Sequence, residues 1–525
     1  MGPLVDVVEI ASPSQYGNVQ RRDASRGTRL QDAAAPGSSA PTCWRLMLQA
    51  SCSKQLGFGT FQRSLVLPHA SCALLVDPAP PSGYNSGDFM QHLWRRIALA
   101  AAGLAALLML WSALARTFQR APRAGDTMSQ SSYVWQRAWT DAVCTAVEER
   151  APSLAGGMVV LGAEIAWIDG APQHVMVALD HAVLARASAP TGLALRIGAC
   201  PKARLSDPDT LEYILQVATE MTGAARAGGW EPAEFQLDFD SATSGLDGYR
   251  HWVESIAAAL HPMPVTITVL PTWMSSKAFG PLVKATDGFV LQVHSVERAD
   301  VEQAEPTLCD SAAALRWTEH AALYGVPFRV ALPTYSYVAI LDDSGDLKGL
   351  VAEAGSALMQ QGGRVREVRA DPHAMARLVS HWTRSRPEGM QGIIWYRLPV
   401  DGDRLNWAWS TLERVCQGES PVARLEVLAA RTGTGLIELI AENRGDLDAE
   451  IPKAIEASWS GGASLLGADS LGGMEWERAD EGTVRWTRTV GLSAARVKPG
   501  ERRVLGWIRL TQGTEVGVHV VEWQR

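Results

Sequence analysis

EFQLDFDS, residues 234–241, is the stretch from which the rest of the chain can be read. Phe235, Leu237 and Phe239 alternate with Gln236, Asp238 and Asp240. A period of two is the pattern of a strand whose successive side chains point to opposite faces. One face is apolar, and the other carries an amide and two carboxylates. Charge on a strand inside a fold is costly unless it is paired or used, so a strand is expected here at a polar site.

Outward from this stretch, strand-like and helix-like segments alternate. Strands are expected at Tyr133–Trp139, Met158–Trp167, Leu193–Ala199, Glu234–Asp240, Val265–Trp273, Phe289–Val296, Phe328–Pro333 and Gly392–Leu398. Most are continuous apolar runs, as strands buried on both faces require. Asp207-Pro208 and Asp371-Pro372 each set an N-cap before a proline at the first helical position. Tyr249, Trp252, Val253, Ile256 and Leu260 form an apolar stripe at helical spacing. Gly325, with Pro327 beyond it, provides a helix stop. Eight strands interleaved with amphipathic helices predict an α/β fold, a (β/α)8 TIM-type barrel over residues 132–417. An open doubly wound sheet is the alternative, and it lacks its usual glycine-rich turn after a strand.

From Pro421 the segments become short and alternating: Arg424–Ala430, Leu436–Glu442, Ala454–Ser460, Thr483–Thr489, Arg503–Leu510 and Val516–Trp523. These predict a small all-β sandwich domain over residues 418–525. Trp459, Trp486, Trp507 and Trp523 fall within or at the ends of its strands. They are expected in the core rather than on a sugar-stacking face.

Residues 1–89 mix Ser, Pro, Gly and Ala without a sustained period. They read as a low-complexity extension, disordered or an over-extended start. MQHLWRR from Met90 then precedes IALAAAGLAALLMLW, Ile97 to Trp111, and Ala113-x-Ala115 follows. A basic region, an apolar run and a small-residue site make residues 90–116 a signal or transmembrane helix. Met90 is accordingly the expected natural start. Arg95 and Arg96 favour an inside N-terminus, and Arg116, Arg120 and Arg123 favour an anchor over cleavage. A linker over 117–131 would then lead to folded domains on the extracytoplasmic side, held at the membrane by that one helix.

A net charge of -8, with no basic run interleaved with aromatics, argues against a nucleic-acid partner. The seven cysteines contain no CxxC pair, and no HExxH occurs, so no metal is expected. GxSxG, GxxxxGK[ST] and GxGxxG after a strand are also missing. Serine-esterase, nucleotide and dinucleotide chemistry lose their usual warrant, and no cofactor is expected.

Barrel chemistry sits at the carboxyl ends of the strands. Asp240 is the candidate general acid, with Asp238 tuning it and Glu164 as a possible second carboxylate. Equally, Asp240 could cap the following loop while Asp238 pairs with an arginine such as Arg196 or Arg397. Gln236, Gln292 and His294 are candidates to hold hydroxyl groups, as are Arg137, Tyr396 and Arg397. Trp135 and Trp273 are candidate stacking platforms. Tyr335 and Tyr337 begin a segment that reads as a hairpin around Asp342–Gly345. Flat rings beside carboxylates and amides suit a polysaccharide; a non-catalytic glycan- or protein-binding scaffold is the alternative.

YVWQRAW (133–139), FQLDFD (235–240), ITVLPTW (267–273), LQVHS (291–295) and GIIWYRLP (392–399) together resemble the bacterial domain of unknown function 3142, over roughly Ser132 to Arg414. The resemblance implies a barrel distantly similar to glycoside hydrolases, in a family with no established activity. FQLDFD also resembles the chitinase-type signature. Asp238 and Asp240 match its aspartates, but the position of its catalytic glutamate holds Ala242. Either another carboxylate such as Glu164 replaces that proton donor, or the barrel binds without cleaving.

Overall fold

The computed structural model describes residues 128–168, 170–294, 307–341, 347–351, 364–489 and 496–522. The extension 1–89, the segment 90–116, most of the linker, the turn at 342–346 and Trp523 lie outside the described residues. Among the described helices, none is long and apolar enough to cross a membrane.

The first part of the chain forms β1 (Ser129–Val134), β2 (Met158–Ile168), β3 (Ala171–Met176), β4 (Thr191–Ile197), β5 (Phe235–Phe239) and β6 (Val265–Val269). It continues with β7 (Gly288–Gln292), β8 (Phe328–Pro333), β9 (Ser336–Leu341), β10 (Leu347–Val351), β11 (Arg364–Arg369) and β12 (Met390–Tyr396). Parallel pairing runs β1-β2-β4-β5-β6-β7-β8-β12 and returns to β1, closing an eight-stranded barrel. The doubly wound alternative is thereby excluded. Closure depends on a glycine: a Cβ on Gly392 would stand 2.0 Å from the Ser129 carbonyl oxygen on the neighbouring strand.

Helices α1 (Asp141–Thr145), α2 (His181–Arg186), α3 (Pro208–Ala227) and α4 (Leu246–Leu260) lie between the strands. So do α5 (Phe279–Lys284), α6 (Ser311–Ala322) and α7 (Pro372–Arg384), and α8 (Trp409–Cys416) follows the last strand. The stripe on α4 is buried as its spacing requires. The Asp371 carboxylate accepts the His373 N–H at 2.9 Å, capping α7. Asp207 at the start of α3 instead accepts the Thr210 hydroxyl at 2.7 Å and Arg204 at 2.9 Å.

Three additions differ from the expected alternation. β3 folds back antiparallel on β2. After β8, strands β10, β9 and β11 form a separate antiparallel sheet, which extends the expected hairpin by a strand. The first barrel strand begins at Ser129, inside the expected linker, and Trp139 lies beyond its end. Ser131 and Ser132 are buried and donate their hydroxyls to the carbonyls of Ile393 and Trp395. Read as sequence, those serines look like linker; in the barrel β12 satisfies them.

The remaining strands are β13 (Leu425–Gly433), β14 (Leu436–Asn443), β15 (Ala449–Glu450), β16 (Ala454–Trp459) and β17 (Leu465–Ser470). After them come β18 (Met474–Asp480), β19 (Thr483–Arg488), β20 (Arg496–Val497), β21 (Arg502–Leu510) and β22 (Val516–Glu522). Two four-stranded antiparallel sheets, β13-β14-β21-β17 and β18-β19-β16-β22, share a core that includes Ile437, Leu439, Ile455, Trp486 and Ile508. Trp459 and Trp486 are buried there, while Trp507 is only half-buried. β17 and β18 were not legible as strands. Both are edge strands, and nearly all of β18 is exposed, so neither shows strong apolar alternation.

Candidate functional site at the barrel mouth

Tyr133, Val159, Leu161, Ala194, Val290, Ala331 and Ile394 belong to six different strands yet form one cluster. In a closed ring, side chains of non-adjacent strands meet only inside, so these residues line the interior. The Tyr133 hydroxyl donates to Gln236 Oε1 at 2.6 Å, and Gln236 Nε2 donates to Thr266 Oγ1 at 3.2 Å. Thr266 in turn donates to Glu234 Oε2 at 2.9 Å, which also accepts from Arg329 at 2.7 Å. Gln236 is fully buried within this chain and serves as an internal prop.

One step further along β5, Asp238 is 3% exposed. Its Oδ2 accepts from Arg196 Nη1 at 2.8 Å and its Oδ1 from Thr268 Oγ1 at 2.7 Å. This is the arginine pairing raised as an alternative from sequence. Asp240, just past the end of β5, is exposed. Strand register aligns Glu164 of β2 with Arg196 of β4, and Arg196 with Asp238 of β5. Glu164 has its own arginine: Arg137 Nε and Nη2 reach its two oxygens at 2.6 and 2.8 Å. Positive and negative groups therefore alternate, Arg137, Glu164, Arg196, Asp238, and the row is balanced in charge.

Aromatic rings stand beside this row. Trp135 lies 5.6 Å from Tyr396 and 5.2 Å from Tyr133, ring centre to ring centre. His294 stacks on Tyr396 at 5.6 Å, and Tyr335 meets both His294 and Tyr396 edge-on. Tyr396, His294 and Gln292 are half-buried, while Trp135 is buried. Burial raises the Tyr133 hydroxyl well above the usual tyrosine range; Arg329 opposes this and Asp238 adds to it. Burial and then the Asp238 and Asp240 charges push Tyr249 up as well.

Two expected ligand contacts take other positions. Trp273 is 1% exposed, donates its indole N–H to the Ser241 carbonyl at 3.1 Å and packs edge-on against Tyr249. It has no ring face open to a sugar. Arg397 is buried, with its guanidinium on Asp403 at 2.6 Å and its peptide N–H on Thr334 at 2.8 Å. It holds the loop after β12. The residues missed from sequence, Thr266 and Thr268, left a signal in VTITV: two hydroxyls at period two on an apolar strand. Among the described residues, no group of three or more His, Cys, Asp and Glu is arranged to hold a metal ion.

Residues 157–401 match the family model of a domain of unknown function, DUF3142, and residues 426–511 match that of another, DUF8456. The first match begins after β1, so YVWQRAW lies outside it. No curated protein matches the chain. Similar solved structures include a chitinase from Bacteroides thetaiotaomicron, at 12% identity and a TM-score of 0.41, covering 56% of this chain and 98% of that one. Chitinase ChiA74 from Bacillus thuringiensis has 8% identity and a TM-score of 0.39, covering 75% and 100%. The Bacillus cereus spore cortex-lytic enzyme SleL has 13% identity and a TM-score of 0.39, covering 56% and 76%. The stretch that matches the DUF3142 model, residues 157–401, spans the barrel strands β2 through β12.

Proposed function

We propose that the mouth of the barrel binds a glycan through hydrogen bonds and aromatic contact and does not cleave it. The carrying observation is that all four oxygens of Asp238 and Glu164 already accept hydrogen bonds from Arg196, Thr268 and Arg137. With Ala242 in the position of the chitinase-type glutamate, that proton donor is missing, and both carboxylates that could replace it are already engaged by an arginine. A charge-balanced row beside half-buried rings suits a neutral polyhydroxylated ligand, with Arg137, Gln292, His294 and Tyr396 in reach of hydroxyls and Trp135 beneath them.

Hydrolysis remains as a second reading because Asp240 is an exposed carboxylate at a strand end. Asp240 would then be the general acid, with Asp238 as its tuning partner and Glu164 as the second carboxylate. A polysaccharide panel separates the two, read both for binding and for release of reducing ends. Binding without release, weakened by Tyr396→Ala, supports the first reading. Release that is abolished in Asp240→Asn overturns it in favour of the second.

An extracytoplasmic setting rests on the apolar segment Ile97–Trp111. A reporter active only outside the cytoplasm, fused after Arg525, should be active; a silent but folded fusion rejects that setting.

A further inference from the structure

The loop after β12 and the sheet domain enclose a cleft of about 440 Å³, inside the roughly 300–1,000 Å³ range of small-molecule sites. Much of the charge on its walls is already paired. Arg150 meets Asp401 at 2.7 Å, Arg503 meets Glu501 at 2.7 Å, and Arg496 meets Glu367 at 2.5 Å. Two cations on the walls make no direct ion pair among the described residues, although Asp448, Asp403 and Glu501 lie near enough to Lys498 to act on its charge. Arg404 is exposed and makes no hydrogen bond or ion pair among the described residues. The Lys498 ammonium donates to the backbone carbonyls of Asp403 and Asn406 and forms no ion pair among the described residues.

Asp448 lines the same cleft and is 7% exposed. Its Oδ2 accepts from Arg369 at 2.5 Å, whereas its Oδ1 is buried without a hydrogen-bond partner among the described residues. A buried acceptor left unsatisfied is costly and calls for a donor. The cleft therefore asks for two things together: negative charge for Arg404 and Lys498, and a hydroxyl for Asp448. A bare anion would be repelled by Asp448, and a bare cation by Arg404 and Lys498. The start of α8 also opens here: its N-cap, Ala408, supplies no side-chain acceptor, and half-buried Trp409 presents an indole.

We infer that this cleft is a second binding site, separate from the barrel mouth, for a small polyhydroxylated carboxylate such as a uronic acid. The carboxylate lies between Arg404 and Lys498, a hydroxyl donates to Asp448 Oδ1, and the sugar ring rests near Trp409.

Calorimetric titration of the full chain with glucuronate, glucose and inorganic phosphate tests this. Glucuronate should bind, with glucose and phosphate each about tenfold weaker or more. Arg404→Gln should weaken glucuronate about tenfold; its exposed, unpaired side chain makes a folding defect no explanation. Asp448→Asn should narrow the gap between glucuronate and phosphate. Equal affinity for glucuronate and glucose, or unchanged affinity in Arg404→Gln, overturns the site. Glucuronate binding that is lost in Asp240→Asn but kept in Arg404→Gln places the ligand at the barrel mouth and overturns it too.

Discussion

Glu164 and Asp238 stand in one row of the barrel, each facing an arginine at close to the same distance, and their surroundings differ. The Arg137–Glu164 side chains are 32% and 24% exposed, so water competes for both charges. The Arg196–Asp238 side chains are 16% and 3% exposed, and a threonine hydroxyl completes the carboxylate's shell. Equal geometry does not mean equal energy. A water-exposed pair gains little because its charges were already well solvated. A buried pair has lost its hydration, so removing one partner strands the other in a medium that cannot replace it.

The largest break in this comparison should come from Arg196→Met. We expect a loss of about 3–5 kcal/mol in urea unfolding, because Asp238 remains buried without its cation. The double variant Arg196→Met/Asp238→Leu should recover much of that loss. A single variant as stable as the parent would falsify the buried-pair account. Thr268→Val removes one hydrogen bond to the same carboxylate and should cost about 1–3 kcal/mol by the same measurement. Arg137→Gln, at the exposed member, should cost about 0–1 kcal/mol, and less still as salt is added. A cost at Arg137 equal to that at Arg196 would erase the distinction.

The smallest effect at neutral pH concerns the tyrosines that sense Asp238. Tyr133 and Tyr249 both have folded-state values raised above the ordinary tyrosine value, chiefly by burial. Their contribution to stability is therefore complete below the unfolded value of about 10 and is lost as pH rises through the folded values. The Tyr249 hydroxyl has no hydrogen-bond partner among the described residues. Tyr249→Phe should leave neutral stability nearly unchanged while flattening the alkaline fall, followed by unfolding at stepped pH. An undiminished alkaline fall in that variant would assign it to other groups.

Seven of the eight barrel strands were legible near their true positions because most are continuous apolar runs, a pattern that water-facing segments avoid, and β5 alternates strictly at a period of two. β1 was displaced because its buried serines are polar, and only the neighbouring strand's carbonyls make them compatible with a core. Asp238 and Asp240 were legible as a pair on one face, but their separate fates were not. Burial of the first and exposure of the second depend on where β5 ends within the ring. Trp273 and Trp135 read alike as strand-end rings; one packs outside the barrel under α4 and the other inside it.

By itself, the sequence determined the alternation of buried strands with amphipathic helices, the change to a domain of short strands, and the faces on which polar residues fall. These follow from local periodicity, which each segment carries without knowing its neighbours. Tertiary structure alone decided that the strands close into a ring, that Asp238 is claimed by Arg196 and Glu164 by Arg137, and that Asp448 and Lys498 line one cleft. Each of those outcomes joins residues distant in the chain. Their energies depend on how much water the closed fold leaves around them.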